Sequence, residues 1–272
     1  MTSREELLKV SELTLDYGLT ASEKPANLGA SLAVNKVSFS LERGEVLGLV
    51  GESGSGKSSL AQAILQLHRP TSGQVFFEGT ELTQHWKKNF GRWVWNDTLR
   101  AHRQKMQLIF QDPKASLNPR MTVRQCIEEP LRAFRETDLE SLKLAVDILL
   151  QQVGLDSDKA KQFPHELSGG QSQRVVIARA LALKPRLIIA DEPVSSLDVS
   201  VRGQVLNLLT SLRSELGLSY LYISHDLSTV RHICDRVAVM YRGKIVEEAT
   251  VEAIFSEPQH PQTRALVAAA RM

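Results

Sequence analysis

Gly51-Glu-Ser-Gly-Ser-Gly56-Lys57-Ser58 places three glycines, a lysine and a closing serine within eight positions. The run fits G-x-x-x-x-G-K-[ST], the pattern of a loop that wraps phosphate. Glycines let the backbone pass close to a ligand, so amides around Gly54 to Ser58 can point at phosphate oxygens. Lys57 can reach the β- and γ-phosphates of a nucleotide, and the Ser58 hydroxyl can bind Mg²⁺. The expected nucleotide contacts are Gly51, Ser53, Gly54, Ser55, Gly56, Lys57, Ser58 and Ser59.

Two further clusters could act on such a ligand. Leu187-Ile-Ile-Ala-Asp191-Glu192 is an apolar run ending in two carboxylates. Asp191 is suited to holding Mg²⁺ through water, and Glu192 to polarising an attacking water. Acids after an apolar strand are common, and it is their place downstream of the phosphate loop that gives these two a chemical reading. Leu167-Ser168-Gly169-Gly170-Gln171 precedes an amphipathic run and exposes amides at a helix start. Alone it is an N-cap and a turn. Beside the first loop it is a second anion site, which one nucleotide has no obvious use for within the same chain.

The elements that must position these groups follow from apolar spacing. Leu8 to Tyr17 forms two short alternating stretches, and Leu32 to Leu41 alternates as well, so both predict half-buried strands. Glu45 to Val50 is more continuously apolar, as a buried parallel strand is. Lys57 to Leu67 predicts a helix, and Gln74 to Phe77 and Met106 to Phe110 predict strands. Thr122 to Phe134 and Leu139 to Val153 have helical amphipathicity, and Ser168 opens a helix running to about Leu183. After it come strand Leu187 to Ala190, helix Val199 to Leu216, strand Tyr220 to Ser224, a helix near Leu227 to Ile233, and strand Arg236 to Tyr241. Strand and helix alternate through the later half, which predicts a parallel sheet with helices on its faces.

Composition narrows the class. The 272 residues are 42% hydrophobic and 24% charged, with a net charge of +2, which gives no reason to expect nucleic acid binding. Met1 to Val10 lacks the apolar core of a signal peptide, and no apolar run approaches the ~20 residues of a membrane helix. Cys126 and Cys234 form no metal-ligand cluster and are expected as reduced thiols in the cytosol.

Leu167 to Gln171 reads LSGGQ, and with the phosphate loop and the acidic strand end it resembles the ABC ATPase family. The resemblance covers about Leu7 to Ala270. It implies a P-loop NTPase of α/β class with a RecA-like core, an N-terminal antiparallel β subdomain and an inserted helical subdomain at about residues 112–177. The ATPase domain would span 7–249, with a short C-terminal extension at 250–272. In that family two subunits pair head to tail, and Ser168, Gly169, Gly170 and Gln171 of one would close over ATP on the other. Tyr17 matches the aromatic residue that stacks on adenine, Gln111 the glutamine that senses Mg²⁺ and water, and His225 the histidine that holds the γ-phosphate. Asp198, closing Ser195-Ser-Leu-Asp198, matches the loop that contacts the partner subunit. ATP and Mg²⁺ are the implied ligands. Ser59 and Ser172 depart from the usual residues without removing a catalytic group.

Phe110 to Val123 and Pro258-Gln-His-Pro-Gln-Thr-Arg-Ala-Leu266 resemble the importers of oligopeptides, dipeptides and nickel. That implies two membrane-spanning permease subunits, a second ATPase subunit that is identical or related, an indirectly acting solute-binding protein, and a peripheral position on the cytoplasmic face of the inner membrane. No nucleic acid partner is expected. Leu117 and Asn118, just after Gln111, are expected to face the membrane subunit. A nickel or metallophore importer is the near alternative. An ABC ATPase acting on nucleic acid is the distant one, and it would need a long coiled coil between the two glycine motifs, where only about 110 residues stand. His85 to Thr98, with Trp86, Trp93 and Trp95, is longer than the branch requires and reads either as a local insertion or as a partner contact.

Overall fold

The computed structural model describes residues 5–17, 32–89, 92–95, 97–134 and 138–270. In chain order its elements begin with β1 (Glu6–Leu15), β2 (Val34–Glu42), β3 (Val46–Val50), α1 (Lys57–Ile64), β4 (Ser72–Phe77), β5 (Thr80–Glu81), β6 (Trp86–Asn89) and β7 (Arg92–Trp95). Then come α2 (Asp97–Lys105), β8 (Met106–Ile109), α3 (Pro113–Ser116), α4 (Val123–Phe134), α5 (Leu139–Gln152), α6 (Gly169–Leu181), β9 (Leu187–Asp191) and α7 (Val199–Leu216). The chain closes with β10 (Ser219–Ser224), α8 (Leu227–Ile233), β11 (Arg236–Tyr241), β12 (Lys244–Thr250), α9 (Val251–Ser256) and α10 (Pro261–Ala270). These elements fall into two compact units, residues 1–103 with 219–272, and residues 104–218.

The first unit holds the expected antiparallel sheet, in the order β2-β1-β4-β5. The two alternating stretches of its N-terminus are one strand interrupted by a bulge. Val10 and Leu13 are both buried although three residues apart, because Glu12 takes a left-handed φ of 50° and shifts the register. The same unit carries strands in the order β12-β11-β3-β10, with β10 and β11 parallel to β3 and β12 antiparallel to β11. All five residues of β3 are buried, as continuous apolarity demands of a strand flanked on both edges and covered on both faces.

Periodicity did not signal β12. Its polar run Lys244 to Thr250 lies mostly at partial exposure, because it is paired to β11 and has little to bury. The turn does carry a signal, since Arg242 and Gly243 both have positive φ, 46° and 78°, which is the two-residue hairpin geometry.

Of the stretch from His85 to Thr98, residues 90, 91 and 96 lie outside the described residues, as do the side chains of 87–95, Trp93 and Trp95 among them. Its backbone is a hairpin that pairs Trp86 with Trp95 and Asn89 with Arg92. Trp86 Nε1 donates to Gln66 Oε1 at 2.7 Å, fastening the hairpin just beyond α1. Arg103 donates to the carbonyls of Leu65 and Gln66 at the same place, where a helix end favours a cation.

In the second unit β8 and β9 run parallel. Val123, Ile127 and Leu131 of α4, and Leu142, Val146 and Leu150 of α5, recur every fourth residue and are buried, so each helix turns one stripe inward. Both helices pack with α6.

Candidate functional site

Where β3 ends, the chain turns through Gly51 to Gly56 into α1. Two of these glycines are dictated by space as well as by φ. A Cβ at Gly51 (φ 154°) would collide with the Met240 carbonyl, and one at Gly56 (φ 105°) with the Ala33 carbonyl. Gly56 is also the N-cap of α1, so no side chain caps the first amides of that helix. Lys57 is 6% exposed, and its Nζ donates to the Gly51 and Glu52 carbonyls at 2.8 and 2.9 Å. Ser53, Gly54 and Ser58 are exposed, whereas Ser55 is buried and its carbonyl accepts Gly243 N at 2.9 Å.

The parallel register brings His225 to the same end of the strands. Ser224 pairs with Val50, so His225 emerges from β10 where Gly51 emerges from β3. His225 is exposed, beside Asp226, which caps α8 by accepting Ser228 N at 2.9 Å. Tyr17 follows β1 and is 49% exposed. Its hydroxyl donates to Ser59 Oγ at 3.1 Å, and its ring stands edge-on to His68. The first unit thus gathers Tyr17, the whole phosphate loop and His225.

The second unit gathers the remaining candidates. Ile109 of β8 pairs with Ala190 of β9, so the positions two residues beyond, Gln111 and Glu192, leave the strands side by side. Gln111 Nε2 donates to Glu192 Oε2 at 2.9 Å. Glu192 has φ 49°, a left-handed conformation that a non-glycine residue keeps only when its surroundings enforce it. Its carbonyl accepts both Ser195 N and Ser195 Oγ, which closes the turn leading to Asp198.

Ser168 caps α6. Its Oγ accepts Gln171 N at 3.3 Å, and Gln171 Oε1 accepts Ser168 N at 3.0 Å, a reciprocal capping box. A Cβ on Gly170 would strike Val201 of α7, so this glycine is a packing requirement between the two helices. Asp198 starts α7 with an exposed side chain that makes no capping bond. The glycine motif and the Asp198 turn are therefore neighbours.

One expectation needs correction. Leu117 is 2% exposed and belongs to the core, while Asn118 is exposed. A residue the sequence did not flag explains how this segment is held. Arg179 of α6 reaches back to donate to the Ser116 carbonyl at 2.6 Å. Burial pushes its guanidinium below the usual value, and the Glu129 carboxylate works the other way. Its spacing within α6 is that of any helical residue, so only the tertiary contact distinguishes it.

Among the described residues no helix is long and apolar enough to cross a membrane, and no group of three or more His, Cys, Asp or Glu side chains could hold a metal by itself. Ser58 in the first unit, and Asp191 and Gln111 in the second, each carry an oxygen of the hard kind that Mg²⁺ takes.

The profile of the family described as ABC transporter matches residues 34–195. A probable peptide ABC transporter ATP-binding protein of Sinorhizobium fredii is 50% identical over 98% of this chain and 73% of its own length. The dipeptide transport ATP-binding protein DppF of Escherichia coli is 44% identical over 98% of this chain and 77% of its own. Among solved structures, a dimeric ATP-binding cassette in a post-hydrolysis state, bound to ADP and Pi, aligns with a TM-score of 0.76 at 28% identity. That alignment covers 90% of this chain and 99% of the other.

Proposed function

Because the chain belongs to the ABC transporter family as an ATP-binding, ATP-hydrolysing cassette, we propose that it powers the import of small peptides through separate membrane-spanning subunits. The observation that carries this reading is the presence, on one chain, of two helix starts built to face an anion. One is the uncapped start of α1 after the phosphate loop, and the other is the start of α6 at Ser168. The relatives named for peptide and dipeptide transport, at 50% and 44% identity, supply the cargo class.

In this reading Lys57 and the amides of Gly54 to Ser58 bind the β- and γ-phosphates, and Tyr17 stacks on adenine. Mg²⁺, for which Ser58, Asp191 and Gln111 would be the oxygen donors, would supply charge neutralisation at the phosphate oxygens. Glu192 polarises the attacking water, and Gln111 orients the Glu192 carboxylate through the bond they share. His225 holds the γ-phosphate. Ser168, Gly169, Gly170 and Gln171 close over ATP on a second subunit, identical or related, and Asp198 contacts that subunit. Two permease subunits and, indirectly, a peptide-binding protein complete the assembly. The chain sits peripherally on the cytoplasmic face of the inner membrane.

The test is reconstitution with permease subunits in liposomes. ATP hydrolysis and uptake are expected to rise together when a binding protein delivers di- or oligopeptides. Stimulation by a nickel chelate with no response to peptides would reject the cargo assignment.

A further inference from the structure

The turn from Pro258 to Leu266 has no part in the roles assigned so far, yet it is built with care. Glu247 of β12 accepts Gln259 N and His260 N, each at 2.8 Å. Burial alone would raise the Glu247 carboxyl, but these two amides help to hold it below the usual carboxylate range. Arg264 closes the turn from the other side, donating to the Pro258 and Gln259 carbonyls at 3.0 and 3.2 Å. α10 is thereby fixed at its first residues.

From that first turn Gln262 Nε2 donates to Glu52 Oε1 at 2.6 Å. Glu52 is the second residue of the phosphate loop. Its carbonyl accepts Lys57 Nζ at 2.9 Å and Ser55 N at 3.2 Å. A short chain of contacts thus runs from the C-terminal helix, through both ends of Glu52, to the loop's lysine. A bond to a carboxylate is stronger than one between neutral groups, and it also determines where the loop's acidic charge sits.

We propose that Gln262 is a positioning residue for ATP binding, acting through Glu52 to hold the phosphate loop and Lys57 in their binding arrangement. The effect falls on the affinity for nucleotide, because the bonds of Glu52 run to the phosphate loop and to Gln262. The inference rests on the ATPase reading of this chain.

The experiment compares the whole chain with Gln262→Ala, Gln262→Glu and the double variant Glu52→Gln/Gln262→Glu. Steady-state hydrolysis, titration with a fluorescent ATP analogue and thermal melting are measured on each. Gln262→Ala leaves every charge in place. It is expected to raise KM for MgATP and Kd for the analogue ~3- to 10-fold, the range for one lost hydrogen bond, with kcat and Tm close to wild type. Gln262→Glu sets two carboxylates against each other and raises KM further. The double variant reverses donor and acceptor and restores KM. Wild-type affinity in Gln262→Ala, or failure of the double variant to rescue, overturns the proposal. A joint fall of kcat and Tm with affinity would mean that Gln262 only supports the fold, which overturns it equally. Lack of hydrolysis by the wild-type chain would instead count against the ATPase reading.

Discussion

In the proposed reading the side chain on which the chemistry turns is Glu192. It sits one residue past the end of β9, in a left-handed conformation, with one carboxylate oxygen accepting from Gln111. Replacing it by glutamine keeps size and shape and removes the ability to take a proton. Glu192→Gln is expected to bind ATP as the wild type does and to lose roughly 10²- to 10⁴-fold in hydrolysis, the contribution of a positioned base. Phosphate release and a nucleotide titration, run on the same preparation, separate the two effects. Near-normal turnover would remove Glu192 from that role.

The segment after Gln111 is, on the proposed reading, where local elements would meet a partner. α3 is capped by Asp112, whose Oδ1 accepts Lys114 N and Ala115 N, and it is tied to α6 by Arg179. Its neighbours Leu117 and Asn118 differ in kind. Leu117 is packed inside, so Leu117→Ala is expected to cost about 2–5 kcal/mol of stability, read from urea unfolding. Asn118 is exposed, and its side chain accepts Arg120 N at 3.0 Å. A bulky substitution there is expected to spare hydrolysis by the isolated subunit and to weaken peptide uptake in reconstituted membranes. Normal uptake by such a variant would place the coupling surface elsewhere.

For the whole molecule the question is why one chain carries two glycine-rich helix starts suited to an anion. If Ser168 acts on a second subunit's nucleotide, its substitution must separate binding from turnover. Ser168→Arg removes the capping hydroxyl and fills the surface before α6. It is expected to leave ATP affinity of the monomer unchanged while abolishing the ATP-dependent dimer in light scattering. Equal loss of monomer affinity in Ser168→Arg and in Lys57→Ala would assign Ser168 to its own chain's nucleotide.

The phosphate loop, the acidic strand end and the Ser168 turn were legible in the sequence because each is built from consecutive residues whose geometry is local. Glycines, an N-cap serine and an apolar run act within a few positions of themselves. The main strands and helices were legible for the same reason, since burial leaves a period of two or near four in the order of residues. Contacts between distant residues leave no such trace. Gln111 and Glu192 stand 81 residues apart and meet through the register of β8 on β9. Gln262 and Glu52 stand 210 apart and meet because the bonds around Glu247 and Arg264 fix the start of α10. The same limit hid the polar strand β12, and it put Leu117 on the surface by expectation and in the core in fact. Pattern along the chain reports which face of an element is apolar, and only packing decides what each exposed or buried side chain finally touches.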